Sequence, residues 1–276
     1  MCKLKSAIIL KDKIFIPEYD SHSAMLDELK IKDDYLGASK KFVRAELSPV
    51  NGDVFSDIDG WHFVVDQDIT PEWFTEEEYK PKMVEAVKEW AKTHIHIGIN
   101  GLRIDAGTNH YIKDCEDVDI CDSATVKNIY GSATVKNIYG SATVENICDS
   151  ATVENICDSA TVEYICDSAT VKNICGSATV KNICGSATVE NICDSATVEY
   201  IYGSATVKNI YGSATVENIY GSATVISSPF TKWAKADSVI LADNATFRDN
   251  YGKVIYQAGN FKLVLIKNKK AIGEAK

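Results

Sequence analysis

The sequence has few prolines, few histidines and no long apolar run. Five prolines in 276 residues exclude a collagen-like chain and a proline-rich linker. No apolar run approaches the roughly 20 residues that a membrane-spanning helix needs. The first apolar run, at residues 7–10, is too short for the apolar region of a secretory signal. We therefore expect a cytoplasmic protein with no membrane partner, in a compartment where thiols stay reduced.

Basic residues are scarce relative to acidic ones. The chain has 29 Lys and Arg against 39 Asp and Glu, a net charge of −10. A protein that binds nucleic acid by neutralising phosphates needs a basic surface, so we expect no direct contact with phosphates. Residues 1–113, 114–122 and 123–226 each carry a net charge of −5, whereas residues 227–276 carry +5.

The middle of the chain repeats every nine residues. Eleven copies of Ser-Ala-Thr-Val-(Lys/Glu)-(Asn/Tyr)-Ile-(Tyr/Cys)-(Gly/Asp) run from Ser123 to Gly221, and a twelfth begins at Ser222. We number the nine positions from the serine, so that only positions 5, 6, 8 and 9 vary. β-Branched residues and a turn residue recur in every copy, which excludes a helix.

The apolar residues of one copy can be placed on one side of the backbone. Ala124 and Val126 share a strand face, and a bend at Lys127 and Asn128 brings Ile129 to the same side. Each copy is then predicted to supply two very short strand segments and two corners. One copy is too short to enclose a core, so the pattern predicts a β-solenoid with two or three copies per coil.

The charges at position 5 favour two copies per coil. Residues in successive coils stack about 4.8 Å apart, where opposite charges attract. With 18 residues per coil, seven of nine stacked pairs are opposite in sign, whereas 27 residues per coil give five of eight. Residues 123–226 would then form about six coils.

This pattern divides the chain into three predicted domains. Residues 1–113 form an α+β domain, with strands near 7–10, 13–16, 41–47, 61–65 and 94–99 and helices near 21–29 and 81–93. Residues 114–226 form the solenoid. Residues 227–276 form a C-terminal cap, with strands near 238–241 and 261–266, and a frayed basic tail at 267–276. The predicted fold class is mainly β: a β-solenoid of nonapeptide repeats, two per 18-residue coil, with an N-terminal α+β capping domain and a short C-terminal β cap. The caps would cover strand edges that otherwise invite polymerisation.

The repeat, with its inward Ala-x-Val pair and no metal ligands, resembles pentapeptide-repeat and related quadrangular β-solenoid proteins. That resemblance covers residues 123–226 and implies a role in protein–protein interaction, including mimicry of duplex DNA by some members. Residues 41–47, 52–59 and 87–91 resemble uncharacterised proteins of gut bacteria and their phages, a likeness that implies no activity.

Position 8 is the predicted binding surface. It is tyrosine in the outer copies and cysteine in the middle ones, and exchange between such different volumes indicates a position that faces solvent or a loose corner. Exposed aromatic residues are enriched at protein interfaces, although stacking along the solenoid is an equally good reason for them. The predicted binding residues are Tyr130, Tyr139, Tyr202, Tyr211 and Tyr220.

The cysteines at position 8 would form two columns of three. These columns are Cys148, Cys166 and Cys184, and Cys157, Cys175 and Cys193. Stacking at about 4.8 Å lies within the range for disulfides, but a reducing compartment favours thiols. A linear ladder does not direct four ligands to one point, so we expect thiols without bound metal.

Candidate catalytic residues are few. His94 and His96 are two residues apart on a predicted strand, so their rings would share a face, with His62 or His110 as a third metal ligand. No phosphate-binding loop, dinucleotide fingerprint or serine elbow is present. We predict no catalytic residue, no metal and no cofactor.

Three functional hypotheses follow. The first is a non-enzymatic repeat protein, a protein-binding or scaffold and spacer module, carried by a phage or mobile element, with a protein partner that the sequence does not identify. The second is an acidic DNA-mimic inhibitor of a topoisomerase or a host defence nuclease, suggested by the charge of −10 and the acidic segment 114–122. The third is a metal-dependent enzyme in the N-terminal domain, centred on His94 and His96.

Overall fold

The computed structural model describes residues 5–32 and 41–227, and the backbone of strands at 238–241, 246–249, 254–257, 261–266 and 272–275. The chain divides into two compact units, residues 1–95 and 96–276. The first unit is α+β and the second is a β-solenoid, so the predicted fold class, mainly β, is confirmed. Within the described ranges, no helix is long and apolar enough to cross a membrane.

The first unit is built on an antiparallel sheet. Its strands are β1 (Lys5–Ile9), β2 (Ile14–Phe15), β3 (Val43–Ser48) and β4 (His62–Val65), in the order β2-β1-β3-β4. The described residues of this unit also form two helices, α1 (His22–Glu28) and α2 (Glu76–His94), and two 3₁₀ turns (Val50–Gly52 and Ile58–Gly60). Each predicted strand before residue 66 and the helix predicted near 21–29 has a counterpart here.

Helix α2 is longer than the predicted 81–93. The Thr75 hydroxyl caps it by accepting a hydrogen bond from the backbone N–H of Glu78 (3.3 Å), and three glutamates occupy its first turn. Both features stabilise a helix N-terminus, so the helix begins ahead of Pro81. At its other end the helix continues to His94, which was predicted to begin a strand.

The part of the second unit that the structure describes contains 21 strands. In chain order they are β5 (Ile95–Ile97), β6 (Arg103–Ile104), β7 (His110–Lys113), β8 (Val118–Ile120), β9 (Thr125–Tyr130), β10 (Thr134–Ile138), β11 (Thr143–Ile147), β12 (Thr152–Ile156), β13 (Thr161–Ile165), β14 (Thr170–Ile174), β15 (Thr179–Ile183), β16 (Thr188–Ile192), β17 (Thr197–Ile201), β18 (Thr206–Ile210), β19 (Thr215–Ile219), β20 (Thr224–Ser227), β21 (Ser238–Leu241), β22 (Thr246–Asp249), β23 (Val254–Gln257), β24 (Phe261–Ile266) and β25 (Ile272–Ala275).

These strands form two sheets, to which the repeat copies contribute alternately. The eleven-stranded sheet has the order β25-β24-β21-β19-β17-β15-β13-β11-β9-β7-β5, and the ten-stranded sheet has the order β23-β22-β20-β18-β16-β14-β12-β10-β8-β6. Repeat strands pair in parallel with the strand 18 residues earlier, as Thr143 with Thr125. The predicted 18-residue coil is therefore confirmed.

The stacks extend beyond the repeats. Strands β6 and β7 precede residue 114, the predicted start of the solenoid, and β21 and β22 follow residue 226. The solenoid therefore has about seven coils, where the repeats alone predicted about six. The division of the chain into compact units falls after residue 95, and the predicted boundary was residue 113.

The core of the solenoid consists of the predicted inward residues. Ala124, Val126 and Ile129 and nearly all their equivalents have no exposed surface. Each full copy, however, forms one strand and one turn, where two strand segments and two corners were predicted. Val144 and Ile147 both lie inside although they are three residues apart, so the bend between them is accommodated within a single hydrogen-bonded strand.

The backbone conformation at position 9 explains why only glycine and aspartate occur there. This residue has a positive φ in every copy, for example 68° at Gly131 and 57° at Asp149. Glycine adopts this left-handed conformation freely, and aspartate is one of the few other residues that tolerate it. The turn between consecutive strands therefore selects these two residue types.

The C-terminal strands continue both stacks. Strand β21 is parallel to β19 and β22 is parallel to β20, while β23, β24 and β25 pair antiparallel. The strands predicted at residues 238–241 and 261–266 are confirmed as β21 and β24. The predicted frayed tail is wrong at Ile272–Ala275, because these residues pair with β24. Residues 228–237 and 267–271 lie outside the described residues.

Val171→Asp tests the core. Val171 has no exposed surface, and its replacement would bury an unpaired charge within the stack. We expect the free energy of unfolding to fall by about 2–5 kcal/mol, measured by urea denaturation. The control Ser204→Asp lies at an exposed corner and should change it by less than about 0.5 kcal/mol. Equal stability of the two variants would contradict the inward assignment.

Candidate functional site

Position 5 forms ladders of ion pairs on the outer surfaces of both sheets. Lys172 pairs with Glu154 at 2.7 Å, Lys208 with Glu190 at 3.3 Å and Lys181 with Glu163 at 3.4 Å, and Lys127 pairs with Glu145. Each pair joins residues 18 apart, as the charge pattern predicted. Such exposed pairs contribute at most about 1 kcal/mol each, but they cancel charge along the solenoid.

Position 6 forms asparagine ladders, which sequence reasoning missed. In the ten-stranded sheet the side-chain amide of each asparagine donates to the Oδ1 atom of the residue one coil earlier. This ladder runs through Asp119, Asn137, Asn155, Asn173, Asn191 and Asn209, at 2.8–3.1 Å. The signal was present, because in-register stacking of asparagines favours amide ladders and nine of eleven copies have asparagine here.

Aspartate at position 9 also bonds between coils. The carboxylates of Asp149, Asp158 and Asp194 accept hydrogen bonds from the backbone N–H groups of the glycines one coil earlier, at 3.0–3.2 Å. Asp114, ahead of the repeats, accepts from the backbone N–H and the hydroxyl of Ser132, and these bonds lower the pKa of its carboxyl group. These carboxylates therefore connect adjacent turns.

The five predicted tyrosines lie at the two corners of the coil. Tyr211 is exposed by 43%, whereas Tyr130, Tyr139, Tyr202 and Tyr220 are half-buried. Of the six cysteines at this position, Cys148 and Cys193 are buried and the other four are half-buried. Position 8 is therefore a packed corner more than the solvent-facing or loose position that the exchange of tyrosine for cysteine indicated.

The tyrosine hydroxyls at the corners contact neighbouring side chains. The hydroxyl of Tyr139 accepts a hydrogen bond from Nη1 of Arg103 at 3.0 Å, and that of Tyr220 donates to Oδ1 of Asn218 at 3.0 Å. A hydrogen bond with Cys184 raises the pKa of Tyr202 to about 12. These phenols are therefore held in place on the solenoid.

Two tyrosines at position 6 present more aromatic surface than four of the five predicted ones. Tyr164 and Tyr200 are exposed by 37% and 39%, on β13 and β17 of the eleven-stranded sheet. The ring of Tyr200 stacks on that of Tyr220 with centroids 6.4 Å apart, and Tyr164 lies close enough to raise the pKa of Tyr202. We call these four residues, Tyr164, Tyr200, Tyr202 and Tyr220, the tyrosine face.

The sequence offered a signal for this face. Tyr164 and Tyr200 are 36 residues apart, which places them in the same column two coils apart. The predicted binding residues, all at position 8, include neither of them. Side chains at position 6 lie on the outer surface of a sheet, where a tyrosine replacing asparagine extends into solvent.

The cysteine columns have the predicted spacing, but not all of their cysteines are thiols. Cys148 and Cys166 form a disulfide with their Cα atoms 4.8 Å apart, so the expected thiol state is wrong for this pair. The third member, Cys184, is a free cysteine. The bond links two adjacent coils through the turns that follow β11 and β13.

The second column holds its cysteines as close neighbours. The Sγ atoms of Cys157 and Cys175 lie 2.6 Å apart. Burial, together with the interaction with Cys157, raises the pKa of Cys175 to about 12, so this thiol is protonated at neutral pH. Burial also raises the pKa of Cys193, which interacts with Tyr211. Burial therefore favours the protonated thiol at Cys175 and Cys193.

The two candidate histidines have separate partners. Nδ1 of His94 lies 2.8 Å from the carbonyl oxygen of Trp90, and its Nε2 lies 2.6 Å from the carboxylate of Glu18. Nε2 of His96 lies 3.3 Å from Nδ1 of His110, with the rings stacked. His94 ends helix α2, and the strand that was predicted to contain both histidines begins only at Ile95. The two rings therefore do not share a strand face.

Loss of the disulfide should destabilise the solenoid. Cys148 and Cys166 close an 18-residue loop, so we expect reduction with dithiothreitol, or Cys148→Ser, to lower the free energy of unfolding by about 3 kcal/mol. Urea denaturation measures this change. Cys184→Ser, in the same column but outside the bond, is the control and should have little effect. Insensitivity of the unfolding midpoint to reductant would contradict the pairing.

The second column should form its own disulfide on mild oxidation. Oxidised glutathione would be reduced to two glutathione molecules as Cys157 and Cys175 lose their thiol protons and join. We expect peptide mapping without reductant to recover the fragments containing these two residues as one cross-linked species, because the sulfur atoms already touch. Pairing of Cys175 with Cys193 in preference would show that this geometry does not direct the oxidation.

Comparison with known proteins gives no matching family model, no matching curated protein and no matching solved structure. The β-solenoid architecture is therefore established from the chain's own coordinates, and the resemblances to pentapeptide-repeat proteins and to proteins of gut bacteria and phages stay predictions.

Proposed function

We propose that this chain is a non-enzymatic repeat protein whose solenoid binds a protein partner through the tyrosine face. The observation that carries the proposal is the exposure of Tyr164 and Tyr200, at 37% and 39%, on a sheet whose strands are hydrogen-bonded on both sides. Tyrosine is enriched at protein interfaces because its ring buries a large apolar area while its hydroxyl can still form a hydrogen bond.

The surrounding structure supports this use of the tyrosines. They lie on a scaffold whose backbone is held by parallel ladders, and Tyr200 is further restrained by its ring contact with Tyr220. A side chain that is already ordered loses less conformational entropy on binding. Tyr164 and Tyr200 are two coils apart, a separation of about 10 Å, so one partner surface can contact both.

The charges on the solenoid do not favour the DNA-mimic hypothesis. A mimic of duplex DNA needs unneutralised acidic groups at regular spacing. The carboxylates of Glu145, Glu154, Glu163 and Glu190 instead pair with lysines one coil away. Four of the six glutamates at position 5 are therefore paired with lysine, which suits a binding or spacer module better than an acidic mimic.

The repeat itself supplies a replacement that removes the tyrosines and leaves the ladder intact. Asparagine occupies position 6 in the nine other copies, so Tyr164→Asn with Tyr200→Asn should fold normally. Affinity capture from cells of the native host, with the wild-type chain and this double variant as baits, tests the proposal. We expect the partner retained by the wild-type chain to bind the variant about tenfold or more weakly, because buried interface tyrosines contribute above about 1 kcal/mol each.

A control variant on the ten-stranded sheet distinguishes loss of the tyrosines from a general effect of changing the solenoid surface. Glu190→Gln with Lys208→Gln removes one ion pair from the ten-stranded sheet and should leave capture unchanged. Thermal melting of each bait establishes that it is folded. Retention of the same proteins in equal amounts by the wild-type chain and the asparagine variant would refute binding through the tyrosine face.

A further inference from the structure

A cluster of ionisable side chains in the first unit lies apart from the residues discussed above. His22 begins helix α1, Glu46 lies on β3 and Asp66 follows β4. The ring of His22 is buried at 6% exposure and Glu46 at 7%, whereas the side chain of Asp66 is 59% exposed. One ligand atom from each residue lies within 4.8 Å of the other two. The cluster is therefore buried on one side and open to solvent on the other.

The hydrogen bond at Nε2 of His22 determines which tautomer the neutral ring adopts, and therefore whether Nδ1 carries a lone pair. Nε2 lies 3.2 Å from the carbonyl oxygen of Ala45, and since a carbonyl oxygen only accepts, Nε2 carries the proton. Nδ1 then faces Oδ2 of Asp66 at 3.3 Å. In the neutral ring this nitrogen presents a lone pair to a carboxylate, an arrangement that repels unless a cation lies between them.

The same hydrogen bond is the one that metal-binding histidines make. A histidine that ligates a metal through one ring nitrogen commonly donates the other N–H to a backbone carbonyl, which fixes its tautomer and ring orientation. Here the carbonyl of Ala45 takes that role, and Ala45 directly precedes Glu46 on β3. One strand therefore orients the imidazole and supplies a carboxylate beside it.

A buried hydroxyl next to the cluster is a second, independent observation. Ser6 has no exposed surface, and its Oγ atom has no hydrogen-bond partner among the described residues. Ser6 is paired directly with Glu46 in the antiparallel ladder between β1 and β3, so both side chains leave the same face of the sheet. A buried hydroxyl without a partner is destabilising, and a ligand in the cluster would give it one.

We propose that His22, Glu46 and Asp66 form a binding site for a divalent metal ion of the first transition series. Nδ1 of His22 and one oxygen from each carboxylate supply three ligands, with Ser6 and water available for the remaining positions. One nitrogen and several oxygens suit Mn²⁺, Fe²⁺ or Zn²⁺, whereas soft ions favour the thiols of the other unit. The carboxylates give the cluster a charge of −2, which a divalent cation neutralises.

Mn²⁺ is the probe of choice because it prefers oxygen and nitrogen ligands to thiols, so the cysteine columns compete little for it. The full chain is stripped with a chelator, dialysed and titrated with Mn²⁺, and the free ion is measured by electron paramagnetic resonance. We expect one tightly bound Mn²⁺ per chain. Asp66→Asn should weaken binding about tenfold or more, and its exposed side chain makes a folding defect improbable as the cause.

Asp68→Asn is the matched control, since it removes the same charge from an exposed residue two positions away. It should leave Mn²⁺ affinity unchanged. Bound Mn²⁺ should also broaden the ring proton signals of His22 beyond detection in the wild-type chain and spare those of the exposed His62. Equal affinity of the wild-type and Asp66→Asn chains, absence of a tight site, or equal weakening by Asp68→Asn would each overturn the proposal.

The main competing explanation is protonation of His22, and the same spectra separate it from metal binding. An imidazolium ion would offset one of the two carboxylate charges by donating from Nδ1 to Asp66 without any metal. In that case the ring signals of His22 in the chelator-stripped chain would not change when Mn²⁺ is added. This result would assign the cluster to an ion pair and refute the metal site.

Discussion

In-register stacking of 18-residue coils is the interaction on which the rest of the second unit depends. A single copy turns only three apolar side chains inward and cannot shield them alone. Stacking places alanine on alanine, valine on valine and isoleucine on isoleucine, as in the pairing of Val144 with Val126 and Val162, and the backbone groups of each strand bond to both neighbours. The coil above and the coil below thus complete the core of each coil.

The same stacking gives every outward side chain a fixed neighbour 18 residues away. Cys148 beside Cys166 forms a disulfide, whereas Cys184 beside Tyr202 forms a hydrogen bond with the phenol. An asparagine beside an asparagine extends an amide ladder. Four variable positions with two residue types each therefore produce several local chemistries, decided by the identity of the neighbour.

This dependence explains which features could be predicted from the sequence and which could not. The coil length and the inward residues followed from the repeat, because sign alternation at position 5 and apolar spacing are properties of the sequence alone. The exposure of Tyr164 and the packing of Cys148 depend on what stands one coil away in three dimensions. The cluster of His22, Glu46 and Asp66 has no sequence motif, since antiparallel pairing and a helix start bring together residues 20 to 44 positions apart.

The tyrosine face and the cluster of His22, Glu46 and Asp66 belong to different units and respond differently to changes in repeat number. Adding two copies would insert one coil and displace residues beyond the insertion by about 4.8 Å, while each column would keep its sheet. Adding one copy between Tyr164 and Tyr200 would move every later strand to the opposite sheet. Tyr200 would then leave the column of Tyr164. Repeat number can therefore change the spacing of the tyrosines in whole coils without altering the ligands of the first unit, which lie outside the repeats.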